Sequence, residues 1–349
     1  MPSAALFKTS LDVLYYSGAS VALQHVFGGI GAIFMLHHVV PAAGQGADFA
    51  PNQGLEVTPE FLGSVLAMLK ARGFDLVNLD EAVARTRDGG RPFAAFTLDD
   101  GYRDNLLYAR PVFERHGCPY TIFVAPGITD GTCELWWRGL EAVIARGEPL
   151  NCTIDGEPLT LATATSGEKA AAWKRLYWPV RNLEQHVQRR WITEFCHRHG
   201  VDLGKICRDA AMTWDEIRTI AASPLCRIGA HTIHHYNVKA LSNTEALGEM
   251  VQSADRIARE LGHRPEYFAY PYGDETSAGP RDFALAQRAG FKAAVTTRKG
   301  MIFPAHKDHL TALPRFSLSG EYQNLRHVRT LLTGVPFALF NGLRTLNVA

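Results

Sequence analysis

A short apolar run over residues 94–98 ends in Asp99-Asp100-Gly101-Tyr102. Neighbouring residues at the end of an extended strand point in different directions, so one carboxylate can take a cation while the other faces water that the cation polarises. A second run over 227–230 ends in His231-Thr232-Ile233-His234-His235. A helical turn there would put His231 and His235, four apart, on one face, where neutral imidazoles can share an ion. One carboxylate oxygen and two imidazole nitrogens, with water completing the shell, make an open site of the catalytic zinc type. Alone, Asp-Asp-Gly is an ordinary turn sequence. Set beside two histidines at another strand end, it becomes a candidate for activating water.

Eight strand-like runs recur along the chain, at 30–36, 74–79, 94–98, 121–125, 227–230, 267–270, 292–296 and 311–316. Several are almost continuously apolar, as strands buried on both faces of a parallel sheet must be. Helical segments separate them. Thr58 and Pro59 open one whose Leu62, Val65, Leu66 and Leu69 share a face before Gly73. Thr213 with Glu216 and Ser242 with Glu245 read as capping boxes that open two more. Seven or eight such units predict a distorted (β/α) barrel of about seven parallel strands, with helices outside, over an open doubly wound sheet. No GxGxxG follows the first run to argue otherwise. In a parallel barrel the C-terminal strand ends open on one mouth, which brings the carboxylates and histidines together.

The alternation breaks between about 130 and 211, which reads as a helix-rich insertion carrying Trp136, Trp137, Trp173, Trp178 and Trp191, with a hairpin at Asp155-Gly156. It either shapes the mouth or packs as a subdomain. The chain divides into an amphipathic segment 1–29, the barrel 30–320 and a helical segment 321–349. Lys+Arg 36 against Asp+Glu 35 leaves no global field for steering onto nucleic acid. With 46% hydrophobic and 20% charged residues the composition is that of a globular protein. Six dispersed cysteines without a CxxC pair predict free thiols in a reducing compartment. With no basic region leading to a cleavage site, the expected location is cytoplasmic. Both terminal segments read either as helices that pack on the domain or on each other, or as amphipathic helices that lie on the inner face of a membrane.

Together with Tyr270-Pro271-Tyr272-Gly273 at a third strand end, these motifs resemble those of the polysaccharide deacetylase family (NodB homology, carbohydrate esterase family 4). Thr97-Leu98-Asp99-Asp100-Gly101-Tyr102 is similar to its first motif, His231 to His235 to its second and Tyr270 to Gly273 to its third. The resemblance covers roughly residues 30–316. It implies a metal-dependent carbohydrate N-deacetylase in which Asp99 is the base, Asp100, His231 and His235 hold Zn2+ or another divalent ion such as Co2+, and the Tyr272 backbone N–H helps bind the oxyanion. The implied partner is an N-acetylated glycan, oligosaccharide or lipid-linked saccharide.

The sequence departs from the family in two places. Ala269 stands where an Arg often orients the catalytic Asp, and Arg315 on the last strand is the candidate replacement. The late-strand His that serves as general acid is missing, and His306 and His309 lie in a polar stretch that reads as a solvated loop. Leu36-His37-His38-Val39 resembles an early strand end of some members that carries an active-site His, which makes His37 the candidate general acid or a partner that positions the leaving amine. Strand alternation should turn one of His37 and His38 inward and the other outward. O-acetyl ester or cyclic amide hydrolysis, and a non-catalytic glycan-binding barrel, are the alternative readings.

Overall fold

The computed structural model describes residues 4–42 and 48–348; residues 1–3 of the N-terminal segment and the final Ala349 lie outside them. Twelve strands are formed among these residues. Seven close a parallel barrel: β1 (Gly31–Leu36), β5 (Phe93–Leu98), β6 (Tyr120–Val124), β9 (Cys226–Ala230), β10 (Tyr267–Ala269), β11 (Ala293–Lys299) and β12 (Leu313–Ser317). Their order around the ring is β1-β12-β11-β10-β9-β6-β5, and β5 pairs with β1 over its full length to complete it. All eight strand-like runs of the sequence are strands, but β4 (Asp75–Val77) stands outside the ring. It pairs with Phe93 to Ala95 of β5, while β6 takes Phe96 to Leu98 further along the same strand. Sharing β5 in this way explains why eight runs give seven staves. The remaining strands are two short pairs, β2 (His38–Val39) with β3 (Glu56–Val57) and β7 (Leu150–Ile154) with β8 (Glu157–Leu161). The latter is the hairpin expected at Asp155-Gly156, both in the left-handed region.

Period-two alternation sorts every barrel strand into two sets. Ile33, Ala95, Phe123, Ala269, Val295 and Leu313 form one cluster that fills the lumen. Their neighbours Phe34, Phe96, Ile122, Phe268, Ala294 and Phe316 belong to the outer core beneath the helices. Gly229 of β9 is required by this filling, because a Cβ there would fall 2.4 Å from the Phe123 ring. The helices begin where the cap residues place them. Thr58 caps Pro59–Ala71 through the Phe61 N–H, and Thr213 and Ser242 make reciprocal capping boxes.

The insertion has a core of its own, in which Leu140, Val143, Ile144, Leu176, Ile192 and Phe195 join the hairpin's Leu150 and Ile154. The hairpin and the helices Trp136–Ala145, Ser166–Asn182, Gln185–Arg198 and Leu203–Ala210 build it. All six cysteines are buried and unpaired.

Candidate active site

Lumen parity carries the chemistry to the mouth. The inward positions 95, 97 and 99 on β5, 313 and 315 on β12, 33, 35 and 37 after β1, and 229 and 231 after β9 share one direction, so Asp99, Arg315, His37 and His231 converge. Asp99, His37 and His231 line a cavity of about 240 Å³ together with Asp100, His235, Trp136, Trp137, Tyr177, Arg181 and Tyr272, and Arg315 lies buried beneath its surface.

Asp99 is gripped end-on. Arg315 Nη1 donates to its Oδ1 at 2.7 Å and Nη2 to its Oδ2 at 2.6 Å, the bidentate arrangement that a planar guanidinium suits. Arg315 is itself fully buried and anchored through Nε to the Thr296 carbonyl at 2.7 Å and through Nη1 to Thr97 Oγ1 at 3.1 Å. Burial pushes the Asp99 carboxyl up, but the Arg315 charge and hydrogen bonds outweigh it and hold the group below its usual range. Arg315 therefore holds this carboxylate from the last strand, β12, whereas Ala269 on β10 has no side chain that could reach it.

Asp100 faces the histidines. Its φ of 75° turns the chain sharply after Asp99, and Gly101 follows at 76°. Asp100 Oδ1 lies 3.3 Å from His231 Nε2 and 3.2 Å from His235 Nε2. The three donors form a buried group compact enough for one metal ion. Their chemistry fits a cation. Asp100 Oδ1 and His235 Nδ1 are buried without a hydrogen-bond partner, and His231 Nδ1 donates to the Ala269 carbonyl at 2.7 Å, which leaves its Nε2 lone pair free for a ligand. Burial raises the Asp100 carboxyl, yet His235 and His231 hold it well below the usual range; burial lowers His235, which favours the neutral imidazole a metal needs.

The convergence of His231 and His235 is not helical, contrary to the expected turn. Residues 231–235 form an irregular loop in which Thr232 and His235 are left-handed, with φ of 57° and 56°. Two charged residues hold it there. Glu249 Oε2 accepts the Ile233 and His234 N–H groups at 2.9 Å, and Arg189 Nη2 donates to the carbonyls of His234 and His235 at 2.9 and 3.3 Å.

His37 and His38 part company as alternation requires. His37 Nε2 is 4.0 Å from Asp99 Oδ2 on the cavity surface. Burial lowers its pKa against the opposing pull of Asp99. His38 turns away, donating from Nδ1 to Asp104 at 2.6 Å and stacking on Tyr102. His306 corrects the loop reading: it is fully buried in the 3-10 turn Pro304–Asp308, outside the cavity lining, while His309 is exposed.

Tyr272, also left-handed at φ 62°, closes the third motif. Among the described residues its N–H donates to no protein acceptor. Its hydroxyl accepts from Trp136 Nε1 at 2.8 Å, Arg181 lies 4.4 Å over its ring, and His235 sits between the Tyr272 and Trp137 rings at 4.9 and 5.0 Å.

Sequence reasoning named Trp136 and Trp137 only as part of an insertion that either shapes the mouth or packs apart, and it missed Tyr177 and Arg181 as cavity residues and Arg189 and Glu249 as loop clamps. A signal existed for some of them. Arg189 lies on the buried stripe Gln185, Gln188, Ile192, Phe195 of its helix, where a charge needs a partner, and Trp173, Tyr177 and Arg181 repeat every four residues.

No curated protein matches the chain in sequence. In fold it is similar to a Streptococcus pyogenes deacetylase, PplD, in complex with acetate (15% identity, TM-score 0.54, covering 86% of this chain and 97% of that one). It is equally similar to a de-N-acetylase from Aggregatibacter actinomycetemcomitans (16%, 0.54, 86% and 99%) and to IcaB from Ammonifex degensii (16%, 0.53, 87% and 98%). The polysaccharide deacetylase profile matches residues 86–294, which span β5 with Asp99 and Asp100, the histidine loop and the Tyr272 turn, and the chain belongs to that family.

Proposed function

We propose that this carbohydrate deacetylase removes N-acetyl groups from an amino sugar in a glycan, oligosaccharide or lipid-linked saccharide, with Asp100, His231 and His235 holding Zn2+ or another divalent cation such as Co2+. The observation that supports this is the division of two adjacent carboxylates: Asp99 is locked by Arg315 and Asp100 is aimed at two imidazoles. When bound, a divalent cation supplies Lewis acidity that makes water more acidic and polarises a carbonyl oxygen. Asp99, kept ionised by Arg315, still has a lone pair on each oxygen to take a proton from water as it attacks the acetyl carbonyl. His37, whose Nε2 lies 4.0 Å from Asp99 Oδ2 on the cavity surface, can receive that proton and release it to the departing amine nitrogen. The unengaged Tyr272 N–H stabilises negative charge on the carbonyl oxygen.

The test is incubation of the purified chain with an N-acetylated oligosaccharide, scoring acetate, free amine and bound metal. Equal release of acetate and amine, abolished by a chelator and restored by Zn2+ or Co2+, is expected. Acetate released only from O-acetylated sugar would replace this reading with an esterase, and chelator-insensitive binding without turnover would replace it with a glycan-binding barrel.

A further inference from the structure

The two ends of the chain fold together on the outside of the barrel. Helix Ala4–Tyr16 is tied to Leu325–Leu331: Asp12 Oδ1 accepts from Arg326 Nε and pairs with His327 Nε2, both at 2.9 Å, and Arg326 Nη1 donates to the Tyr16 hydroxyl. The C-terminal helix Val335–Phe340 is seated against the end of Ala19–Phe27. Gly334, at φ 73°, permits this, since a Cβ there would fall 1.7 Å from the Phe27 carbonyl oxygen.

Much of what this packing leaves uncovered is apolar. Among the described residues 14 large apolar side chains are exposed, and 10 of them lie in these terminal helices and the residues just after, including Val13 at 62%, Tyr16 at 72%, Val21 at 60%, Val26 at 61% and Phe340 at 55%. Scattered exposed apolar groups are normal on any protein; this concentration is not. The charges of the same helices are one-sided. Asp12 is spent on Arg326 and His327, whereas Lys8, Arg329 and Arg344 have no carboxylate partner among the described residues. Glu321, in the turn ahead of these helices, is the other carboxylate of the terminal segments. No helix among the described residues is long and apolar enough to cross a membrane.

We propose that the paired terminal helices dock the protein on an anionic lipid surface, lying on it rather than spanning it. Apolar side chains enter the headgroup boundary, and Lys8, Arg329 and Arg344 meet the lipid phosphates. A second copy fits the face less well, because a two-fold dimer sets the same surplus of cations against itself. The anionic cytoplasmic leaflet is the surface that matches this charge.

The test is sedimentation of the full chain with vesicles of mixed phosphatidylglycerol and phosphatidylcholine, or of phosphatidylcholine alone. Binding to the mixed vesicles, weakened by salt, is expected. Val21→Glu with Val26→Glu should lower it at least about tenfold. Arg329→Gln and Arg344→Gln should each lower it about fivefold on the anionic vesicles only. Tm and turnover of a soluble substrate should stay unchanged, which separates lost docking from lost folding. Absence of wild-type binding to the anionic vesicles would overturn the proposal. So would a dimer in light scattering that the Val21→Glu, Val26→Glu pair dissolves.

Discussion

Asp99, Arg315, His231 and His37 stand at the ends of four barrel strands, whereas Trp136, Trp137, Tyr177 and Arg181 reach the same cavity from an insertion with a separate core. Asp99, Arg315 and His231 are buried and paired, down to the fully enclosed Arg315, while His37 opens on the cavity 4.0 Å from Asp99. The insertion group is aromatic apart from Arg181 and meets the barrel through ring contacts, the bond from Trp136 Nε1 to the Tyr272 hydroxyl and the pairing of Arg181 with Asp274 at 2.8 Å. A buried ion pair tolerates no missing partner, because the survivor is left charged in a poor solvent. An aromatic wall loses area when trimmed, and its neighbours can adjust. The floor should therefore govern the rate and the wall the fit.

The sharpest way to break that division is to remove a floor donor. His235→Ala should lose stoichiometric metal, read by elemental mass spectrometry, and all measurable turnover; full activity with metal retained would dissolve the assigned ligand set. Asp99→Asn comes next. It should keep the metal and lose about a thousandfold or more in kcat, since it removes a base and leaves every ligand in place. His37→Ala should cost about a hundredfold in kcat at unchanged metal content, while His38→Ala, whose ring is held by Asp104, should cost little. The wall should respond differently: Tyr177→Ala is expected to raise KM by about tenfold with kcat nearly kept, and a loss confined to kcat would mean that the insertion takes part in the chemistry.

His306 supplies the smallest effect and lies outside both regions. Burial depresses its pKa to about 4, and its Nε2 is buried without a partner. Since an unfolded His titrates near ~6.5, the unfolded chain binds the extra proton between the two values. Stability is fully present above about pH 6.5 and falls as pH drops toward 4, by about 2 kcal/mol at pH 5. His306→Gln should flatten that part of the Tm-against-pH curve; an unchanged slope would assign it to other groups.

Much of the floor was legible because strand alternation and strand ends are local properties. The apolar runs mark the staves, Asp99-Asp100 and His231 stand where two of them stop, and parity separates His37 from His38. The capping boxes at Thr213 and Ser242 were legible for the same reason, since each joins groups three residues apart. The route by which His235 meets His231 was not. It depends on left-handed backbone at Thr232 and His235 and on clamps from Glu249 and Arg189, the latter more than 40 residues distant in the chain. The buried fate of His306 was hidden too, because a polar stretch looks solvated until another element covers it.

Residue order alone carried the barrel class, the position of the insertion and the identity of the candidate donors, because all of these rest on periodicity of two or on groups within a few residues of each other. Three-dimensional packing settled which guanidinium grips Asp99, which insertion side chains wall the cavity and which apolar faces of the terminal helices stay open. Arg315 and Asp99 are 216 residues apart. No local pattern encodes that distance of 2.7 Å; it follows from ring closure, which sets β12 beside β1 and β1 beside β5, so that two inward side chains from separate strands share one buried space.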